Sequence, residues 1–458
     1  MKKLYLRSII ILIVCCYATI AICQQPIFKD GDRIMFIGSS IAMRGSNFHY
    51  INLFYATRYP DRRITFLNGG ISGDITNEII ERLEEDVLSK NPAWVVIMLE
   101  ENDLQPGLYY KSRQGEPGIA EKRQKCLENW CKNADSIVRI LKNANVKIIL
   151  ETPTIYDQTG NLPAENAYGV NDSLQKCAAY LRQLSKKYNL PLIDCWTILK
   201  EINKIVQEKD PANSIIGKDR VHVSRMGYFV MACQFLKTLP GNPIVSNAVI
   251  DGKGDKLIRQ VNCSVTGLES SSTKLSFNHK SEALPFPTPE GVNVDSFFSF
   301  SNKLNSETIR VKRLKKGNYS LRIDQNNIGV FSNKDLDNGI NLSFFKNTPQ
   351  YLQAANVLPL FEEYWKLEYA LRRIKFVEYN YLNNPKNKDD MAGLRKFFDD
   401  ILEKYKQEES YNYLKNIFSD YMTDKLKEKD MILKSDSLFQ SIHQNCIPRQ
   451  HVYEITRL

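Results

Sequence analysis

The sequence predicts an α/β protein with a three-layer unit, in which helices cover both faces of a parallel sheet. A small β-rich region and C-terminal helices follow this unit. Short, continuously apolar segments alternate with amphipathic segments of helical period up to about residue 240. Segments of alternating polarity follow to about residue 346, and a charged segment of helical period comes last. The composition, 43% hydrophobic and 25% charged over 458 residues, is that of a globular protein large enough for several domains.

Residues 1–23 differ from the rest and are predicted to be a signal peptide. Basic residues precede an apolar run over 9–21 that is short for a membrane-spanning helix. Cleavage near Cys23 gives a secreted or periplasmic protein with no stable transmembrane anchor. Two alternatives stay open, namely an uncleaved N-terminal anchor and lipid attachment at Cys23, against which the bulky side chain of Ile22 argues.

Residues 24–240 are predicted to form the α/β domain. Its strands are expected at 33–38, 63–68, 93–99, 146–151 and 190–195. Its helices are expected at 47–58, 74–89, 120–143, 171–188 and 224–237. Because right-handed crossovers bring the carboxyl ends of parallel strands to one edge of the sheet, residues distant in sequence are expected to meet there.

Two regions follow this domain, a β-rich region over 241–346 and a helical C-terminal region over 347–458. The first contains short alternating segments and a hairpin-like pair around 325–329. In the second, aromatic and aliphatic side chains recur at helical spacing, which is typical of helix packing.

The composition excludes several classes of function. The formal net charge is +10, but basic and acidic residues are interleaved, so nucleic-acid binding is not indicated. Three of the ten cysteines lie in the predicted signal peptide, and the others are too widely spaced for a disulfide framework. No cysteine or histidine cluster has zinc-ligand spacing, and we expect neither a metal nor a cofactor.

Ser40 is the candidate nucleophile. The buried strand over 33–38 ends at Gly38, and Ser39 and Ser40 form the turn into the next helix. Such a turn, at the carboxyl end of a parallel strand, is where open α/β sheets bind their ligands. The alternative is that the two serines only cap the helix.

His222 is the candidate general base among only five histidines. In Asp219-Arg-Val-His222, the carboxylate can accept a hydrogen bond from Nδ1, which leaves Nε2 free to take a hydroxyl proton. The alternative is an ordinary pair at a helix start, because acid and histidine three residues apart are common there. His49 falls in a predicted helix and equally fits packing.

Two loops at the same sheet edge offer hydrogen-bond donors for a developing oxyanion. After the second strand, glycine at position 70 lets its backbone N–H face a ligand. After the third strand, Asn102 offers a side-chain amide. Each loop also has a simpler interpretation as turn chemistry.

The order of these four motifs, from about Asp30 to Lys237, resembles the SGNH hydrolases, the GDSL-type esterases and lipases. The resemblance implies a flavodoxin-like three-layer sheet and a cofactor-independent catalytic triad. The triad it implies is Ser40, Asp219 and His222, and the oxyanion hole it implies is formed by the Ser40 N–H, the Gly70 N–H and the Asn102 side chain. The absence of a G-x-S-x-G elbow argues against an α/β-hydrolase.

Two positions depart from the family pattern. The usual Gly-Asp-Ser is Gly38-Ser39-Ser40 in this chain, which leaves the implied triad complete. Glu100 stands where the third motif usually has a glycine, two residues before its asparagine. A carboxylate there opposes the oxyanion unless it points away or is paired, so a weak or inactive member is one expectation.

The sequence therefore predicts a secreted serine esterase that cleaves short acyl esters, acetyl above all, from carbohydrate or another small ester substrate. Tyr109 and Tyr110 are expected to stack on a sugar ring. A lipase or phospholipase is the alternative among enzymes. A catalytically weak carbohydrate-binding or envelope scaffold protein is the alternative outside them.

Overall fold

The computed structural model describes residues 25–293, 295–382 and 390–458. The predicted signal peptide, with Cys23, lies outside the described residues, and so does the first residue of the predicted α/β domain, Gln24. Within the described ranges, no helix combines the length and the apolarity that crossing a bilayer requires.

A sheet of five parallel strands forms the centre of the N-terminal half. The strands are β1 (Arg33–Gly38), β2 (Thr65–Gly70), β3 (Trp94–Met98), β4 (Lys147–Glu151) and β5 (Leu192–Ile193). They lie in the order β2-β1-β3-β4-β5. β1 and β3 are buried on both faces, as their continuous apolar runs predict for strands covered by helices. The predicted α/β fold with a flavodoxin-like sheet is confirmed.

Helices connect and flank these strands. They are α1 (Ser40–Arg44), α2 (Ser46–Arg58), α3 (Thr76–Arg82), α4 (Ile119–Asn143), α5 (Val170–Tyr188), α6 (Cys195–Lys209) and α7 (Arg225–Thr238). The helix predicted over 74–89 leaves α geometry after Arg82 and continues as π and 3₁₀ turns. The strand predicted over 190–195 ends at Ile193, because the Asp194 carboxylate accepts the Thr197 N–H and so begins α6, which was not predicted.

Two more sheets follow α7. Their strands are β6 (Ile244–Asp251), β7 (Lys256–Val261), β8 (Cys263–Ser270), β9 (Lys274–Ser281), β10 (Ser306–Lys312), β11 (Asn318–Ile323), β12 (Asn326–Ser332), β13 (Ile340–Asn341) and β14 (Gln450–Arg457). One sheet has the order β13-β10-β6-β7 and the other β12-β11-β14-β9-β8. Two short helices, α8 (Phe300–Lys303) and α9 (Asn333–Asn338), lie between these strands.

The described part of the C-terminal region contains five helices, the last of which ends at Asn445, and then a strand. Its helices are α10 (Pro349–Ala355), α11 (Leu358–Tyr381), α12 (Met391–Lys404), α13 (Tyr411–Leu426) and α14 (Glu428–Asn445). The expectation of a helical segment up to the last residue is wrong for β14, which pairs with β9 and β11. Alternate residues of β14, namely His451, Tyr453 and Ile455, are buried, so the strand period was present but short.

Helix α11 joins the C-terminal region to the α/β unit. Phe361 and Tyr364 belong to the same hydrophobic core as the parallel sheet. Trp365 stacks on the imidazole of His49 in α2, with ring centroids 4.8 Å apart, and the Glu368 carboxylate lies 3.1 Å from His49 Nε2. The C-terminal helices therefore pack directly on the part of the chain that carries the candidate site.

Replacing Tyr453 tests the central position of β14. Its ring is 1% exposed and stacks on Phe277 at 5.1 Å, and its hydroxyl accepts a hydrogen bond from Gln350. We expect Tyr453→Ala to lower the free energy of unfolding by about 3–5 kcal/mol, because it leaves a cavity in the core. Val452→Thr, on the exposed side of the same strand, should change it by less than about 0.5 kcal/mol. Equal values for the two variants in urea denaturation contradict this role.

Candidate active site

The first turn of the site joins β1 to α1. α1 begins at Ser40, and Ser39 alone separates it from the end of β1 at Gly38. At Gly38, a Cβ atom would lie 2.3 Å from the carbonyl oxygen of Met98, and no side chain fits that approach. The Ser40 side chain therefore sits at the carboxyl edge of the sheet, and 8% of the residue is exposed.

The structure brings Ser40, His222 and Asp219 together. The Ser40 hydroxyl lies 2.9 Å from His222 Nε2, and His222 Nδ1 lies 2.6 Å from Asp219 Oδ2. With the Nδ1 proton donated to Asp219, Nε2 accepts from the serine hydroxyl. This is the arrangement that lets a serine lose its proton as it attacks a carbonyl carbon.

Asp219 is held as an anion by its surroundings. Although burial opposes ionisation, the hydrogen bond from the His222 ring and those from the backbone N–H groups of His222 and Val221 keep the pKa of the carboxyl below its ordinary value. The carboxylate therefore orients the imidazole and fixes the tautomer that carries its proton on Nδ1.

Arg220, between Asp219 and His222, anchors the loop, and the sequence analysis missed it. Its φ angle of 68° lies in the left-handed region, which is unusual for a residue with a side chain. Its buried guanidinium donates to the carbonyl oxygens of four other residues, Asp157, Gly160, Leu162 and Ala164. A guanidinium buried among carbonyls is visible only in three dimensions, because the sequence shows a basic residue in a polar loop.

The second turn follows β2 and contains Gly70. A Cβ there would lie 2.2 Å from the Met43 nitrogen, so the backbone of α1 lies directly against this glycine. The Gly70 N–H donates to Asn68 Oδ1 at 3.0 Å, and the Asn68 amide donates to the Met43 carbonyl oxygen at 2.8 Å. The N–H that the sequence analysis assigns to the oxyanion hole thus has an acceptor within its own turn.

Asn102 lies in the third turn, after β3. One hydrogen of its amide is donated to the Asp74 carbonyl oxygen at 3.0 Å. The other has no acceptor among the described residues and is available to a ligand. The Ser40 N–H is likewise available, because the first residues of a helix have no acceptor within it.

Glu100 does not stand unpaired beside these donors. Its Oε2 accepts a hydrogen bond of 2.5 Å from the Ser39 hydroxyl, and the Ile41 N–H at the start of α1 also donates to the carboxyl. Burial, together with the neighbouring Glu101, raises the pKa of Glu100 well above its ordinary value and favours the uncharged form. The two hydrogen bonds favour the charged form and so oppose this rise, but burial and Glu101 prevail, which reduces the negative charge that the sequence analysis expected at this position.

Two more buried carboxyl groups lie at the ends of β3 and β4. Burial raises the pKa of Glu101 to about 7, and nearby Asp219 adds to this effect. Burial also raises the pKa of Glu151 to about 7, although the Cys195 thiol donates to Glu151 Oε1 at 3.1 Å. Burial therefore favours the protonated forms of the carboxyl groups at the ends of β3 and β4.

The expected sugar platform at Tyr109 is not present. Tyr109 is 3% exposed, its hydroxyl is 2.9 Å from Ser173 Oγ, and the Arg123 guanidinium covers its ring at 4.5 Å. The expectation was wrong because the segment after β3 folds back on α4 and α5 and buries the ring. Tyr110 next to it is half-buried.

A cleft of about 750 Å³ opens between the end of α1, the start of α7 and helix α11, and Ser40 and His222 themselves do not line it. Arg44 follows Ser40 by one helical turn, and Arg225 and Tyr228 follow His222 on α7. From α11 the cleft is lined by Trp365, Lys366 and Tyr369. Polar, cationic and aromatic groups thus surround a space lined by Arg44, which lies one helical turn after the candidate nucleophile.

Comparison with known proteins places this site in a family context. Residues 36–229 match the model of the GDSL-like lipase/acylhydrolase family. An acetylxylan esterase of Geobacillus stearothermophilus is 25% identical over 225 residues, which are 46% of this chain and 94% of that protein. The structure of a gut microbial diltiazem-metabolizing enzyme matches with a TM-score of 0.82 and 25% identity, over 95% of this chain and 99% of that one.

The matched family segment begins in β1 and ends in α7, so it includes the three turns and the loop with His222. The resemblance seen in the sequence is thereby confirmed. Helix α11 lies outside that segment, whereas the diltiazem-metabolizing enzyme covers nearly the whole chain.

The buried carboxyl of Glu151 should make stability depend on pH. Its pKa rises from 4.5 to about 7 in the folded chain, so between these values the unfolded chain loses a proton that the folded chain keeps. The free energy of unfolding contributed by this group is therefore full below about pH 4.5 and is lost as the pH rises through about 7.

We expect Glu151→Gln, which keeps the shape and removes the titration, to make the fall in stability across this range shallower. A residual slope should stay, because burial also raises the pKa of Glu307 to about 7. Urea denaturation of both chains at several pH values measures it. Parallel curves for the parent and the variant contradict the raised pKa.

Proposed function

We propose that this protein is a serine esterase that removes short acyl groups, acetyl above all, from carbohydrates, in line with the match of residues 36–229 to the GDSL-like lipase/acylhydrolase family. The observation that carries the proposal is the hydrogen-bonded chain from Ser40 to His222 to Asp219, with separations of 2.9 Å and 2.6 Å. A hydroxyl, an imidazole and a carboxylate in this order are the minimum set for acyl transfer through serine.

In the first step, Ser40 Oγ attacks the ester carbonyl carbon while its proton passes to His222 Nε2. The tetrahedral intermediate then collapses, the C–O bond to the alcohol breaks, and the alcohol leaves with the proton held by His222. In the second step, water attacks the acyl-enzyme, again with His222 as the base. The carboxylic acid is released, and the Ser40 hydroxyl is restored.

The oxyanion of each tetrahedral intermediate receives hydrogen bonds from the backbone N–H of Ser40 and the free amide hydrogen of Asn102. The Gly70 N–H is the third donor, and it must share its hydrogen with Asn68 Oδ1 or release that acceptor when the oxyanion forms. Donors held by the surrounding backbone need little rearrangement during the reaction, which is why such groups lower the barrier.

Two observations support a carbohydrate ester as substrate. The relative in Geobacillus stearothermophilus is an acetylxylan esterase, and it aligns over nearly its whole length. The cleft lined by the end of α1 and the start of α7 offers arginine, lysine and tyrosine side chains, which suit hydroxylated molecules. A small non-carbohydrate molecule is the second candidate, because the diltiazem-metabolizing enzyme matches almost the whole chain. A secreted or periplasmic location rests on the leader-like N-terminus alone.

Hydrolysis of a short-chain aryl acetate by the mature chain tests the proposal. We expect Ser40→Ala to abolish turnover and Asn102→Ala to lower kcat by about a hundredfold or more, because one oxyanion donor is lost. Asn143→Ala, at the exposed end of α4, is the matched control and should be unaffected. No turnover by the parent chain, or full activity of Asn102→Ala, contradicts the assignment. A preference for long acyl chains points to a lipase instead, and glycan binding without turnover points to a scaffold.

The cleft should receive the alcohol part of the substrate. Tyr369 is 39% exposed on its wall, and its ring is available for contact with a sugar. We expect Tyr369→Ala to raise KM for an acetylated xylooligosaccharide about three- to tenfold and to leave KM for a small aryl acetate unchanged. Tyr405→Ala, an exposed tyrosine outside the cleft, should change neither value. An equal effect of Tyr369→Ala on both substrates excludes this role.

A further inference from the structure

Helix α11 places a buried arginine at the turn that carries Gly70. Arg372 is 5% exposed, and its Nε donates to the Gly70 carbonyl oxygen at 2.6 Å. Its two terminal nitrogens donate to the two carboxylate oxygens of Asp86, at 2.9 Å and 2.6 Å. A side chain from the C-terminal region therefore reaches the carboxyl edge of the parallel sheet.

The contacts of Arg372 belong to a buried network of charges. Arg82 donates to Asp86 at 2.8 Å and to Asp74 at 2.7 Å, and it also reaches the Gly38 carbonyl oxygen at 3.3 Å. Gly38 and Gly70 are paired in the register of β1 and β2. The two arginines thus bind the carbonyl oxygens of the last residues of β1 and β2. The turn that carries Ser40 follows β1.

Gly70 needs an external restraint, because glycine has more backbone freedom than any other residue. Its close approach to Met43 forbids a side chain that would limit this freedom. The bond from Arg372 fixes the peptide plane that follows Gly70, and the Ile71 N–H fixes the same plane by donating to the Gly38 carbonyl oxygen at 3.1 Å. The Gly70 N–H lies in the preceding peptide plane, which is joined to this one by the two rotatable bonds at the Gly70 Cα, so the two contacts restrain its direction through the Gly70 backbone.

Docking of α11 does not itself require Arg372. Phe361 and Tyr364 bury apolar surface against the sheet core, and Trp365 and Glu368 contact His49. A buried charge pair stabilises a fold no better than apolar residues of similar size do. A guanidinium at this place is therefore explained by what it holds, the Gly70 carbonyl oxygen, rather than by helix packing.

We propose that Arg372 is a positioning residue of the esterase, which restrains the backbone at Gly70 and thereby the direction in which the Gly70 N–H points toward the oxyanion. This inference rests on the proposed function. It also makes α11 a part of the active site, although the family segment ends at residue 229. Without the contact from Arg372, the turn that carries Gly70 still allows an ester to bind. Stabilisation of the tetrahedral intermediate, however, depends on the C-terminal helix.

The test compares Arg372→Met with Glu368→Gln, one helical turn earlier on α11. Both variants remove a charge from a polar contact between α11 and the α/β unit, but only the first affects a contact with Gly70. We expect Arg372→Met to lower kcat by about ten- to a hundredfold with KM within about twofold, because a loosened donor acts on the transition state. Glu368→Gln should keep kcat within about twofold. Arg372→Lys, with one donor group, should be intermediate.

Reaction with an aryl phosphonate supplies a second measurement, because the phosphonyl-serine adduct places an oxygen in the oxyanion hole. Its inactivation rate should fall in parallel with kcat in Arg372→Met and stay unchanged in Glu368→Gln. The double variant Arg372→Met, Asp86→Asn removes the buried carboxylate that would otherwise keep Arg82 as its one remaining arginine partner, and it should show the same loss of kcat with a higher midpoint of thermal unfolding than Arg372→Met.

Equal kcat in Arg372→Met and Glu368→Gln, both measured well below their thermal midpoints, overturns the positioning role. A rise in KM without a fall in kcat also overturns it. A parent chain that neither hydrolyses the acetate nor reacts with the phosphonate refutes the proposed esterase function, and the positioning role with it. An active parent chain with an unaffected Arg372→Met refutes only the role of Arg372.

Discussion

The contact between the backbone of α1 and the ends of β1 and β2 is the constraint on which the rest of the site depends. A Cβ atom at Gly70 would lie 2.2 Å from the Met43 nitrogen, and one at Gly38 would lie 2.3 Å from the Met98 carbonyl oxygen. Because these two positions have only hydrogen in place of a side chain, the helix that begins with Ser40 sits directly on the strand ends. His222 contacts the serine there because hydrogen bonds from Arg220 hold its loop at the same edge.

The two departures from the family pattern are connected in space. Ser39 stands where the family has aspartate, Glu100 stands where it has glycine, and the Ser39 hydroxyl donates to the Glu100 carboxyl at 2.5 Å. An aspartate at position 39 would put two carboxyl groups in contact in a buried place, and one of them would have to remain protonated. The serine instead supplies a donor, so the two changes compensate each other.

How far the sequence predicts this molecule depends on how local each signal is. The parallel sheet and the order of Ser40, Gly70, Asn102 and His222 are readable, because strand ends converge by topology alone. Arg372 is 302 residues away from Gly70, in a helix whose pattern is ordinary, so no spacing reveals the contact. Tyr109 stands among polar residues in the sequence, as an exposed aromatic residue would, but it is buried by packing that only the folded chain shows.

The position of β14 has a consequence for biosynthesis. This strand lies in the middle of its five-stranded sheet, between β11 and β9. Each of these two strands therefore has one unpaired side until residues 450–457 have left the ribosome. Contacts between distant segments form late and slowly. The α/β unit, complete in sequence long before, waits as a nascent chain whose second sheet has two open edges, and such edges invite pairing with other chains. Chaperone holding during synthesis is therefore most needed for β9 and β11.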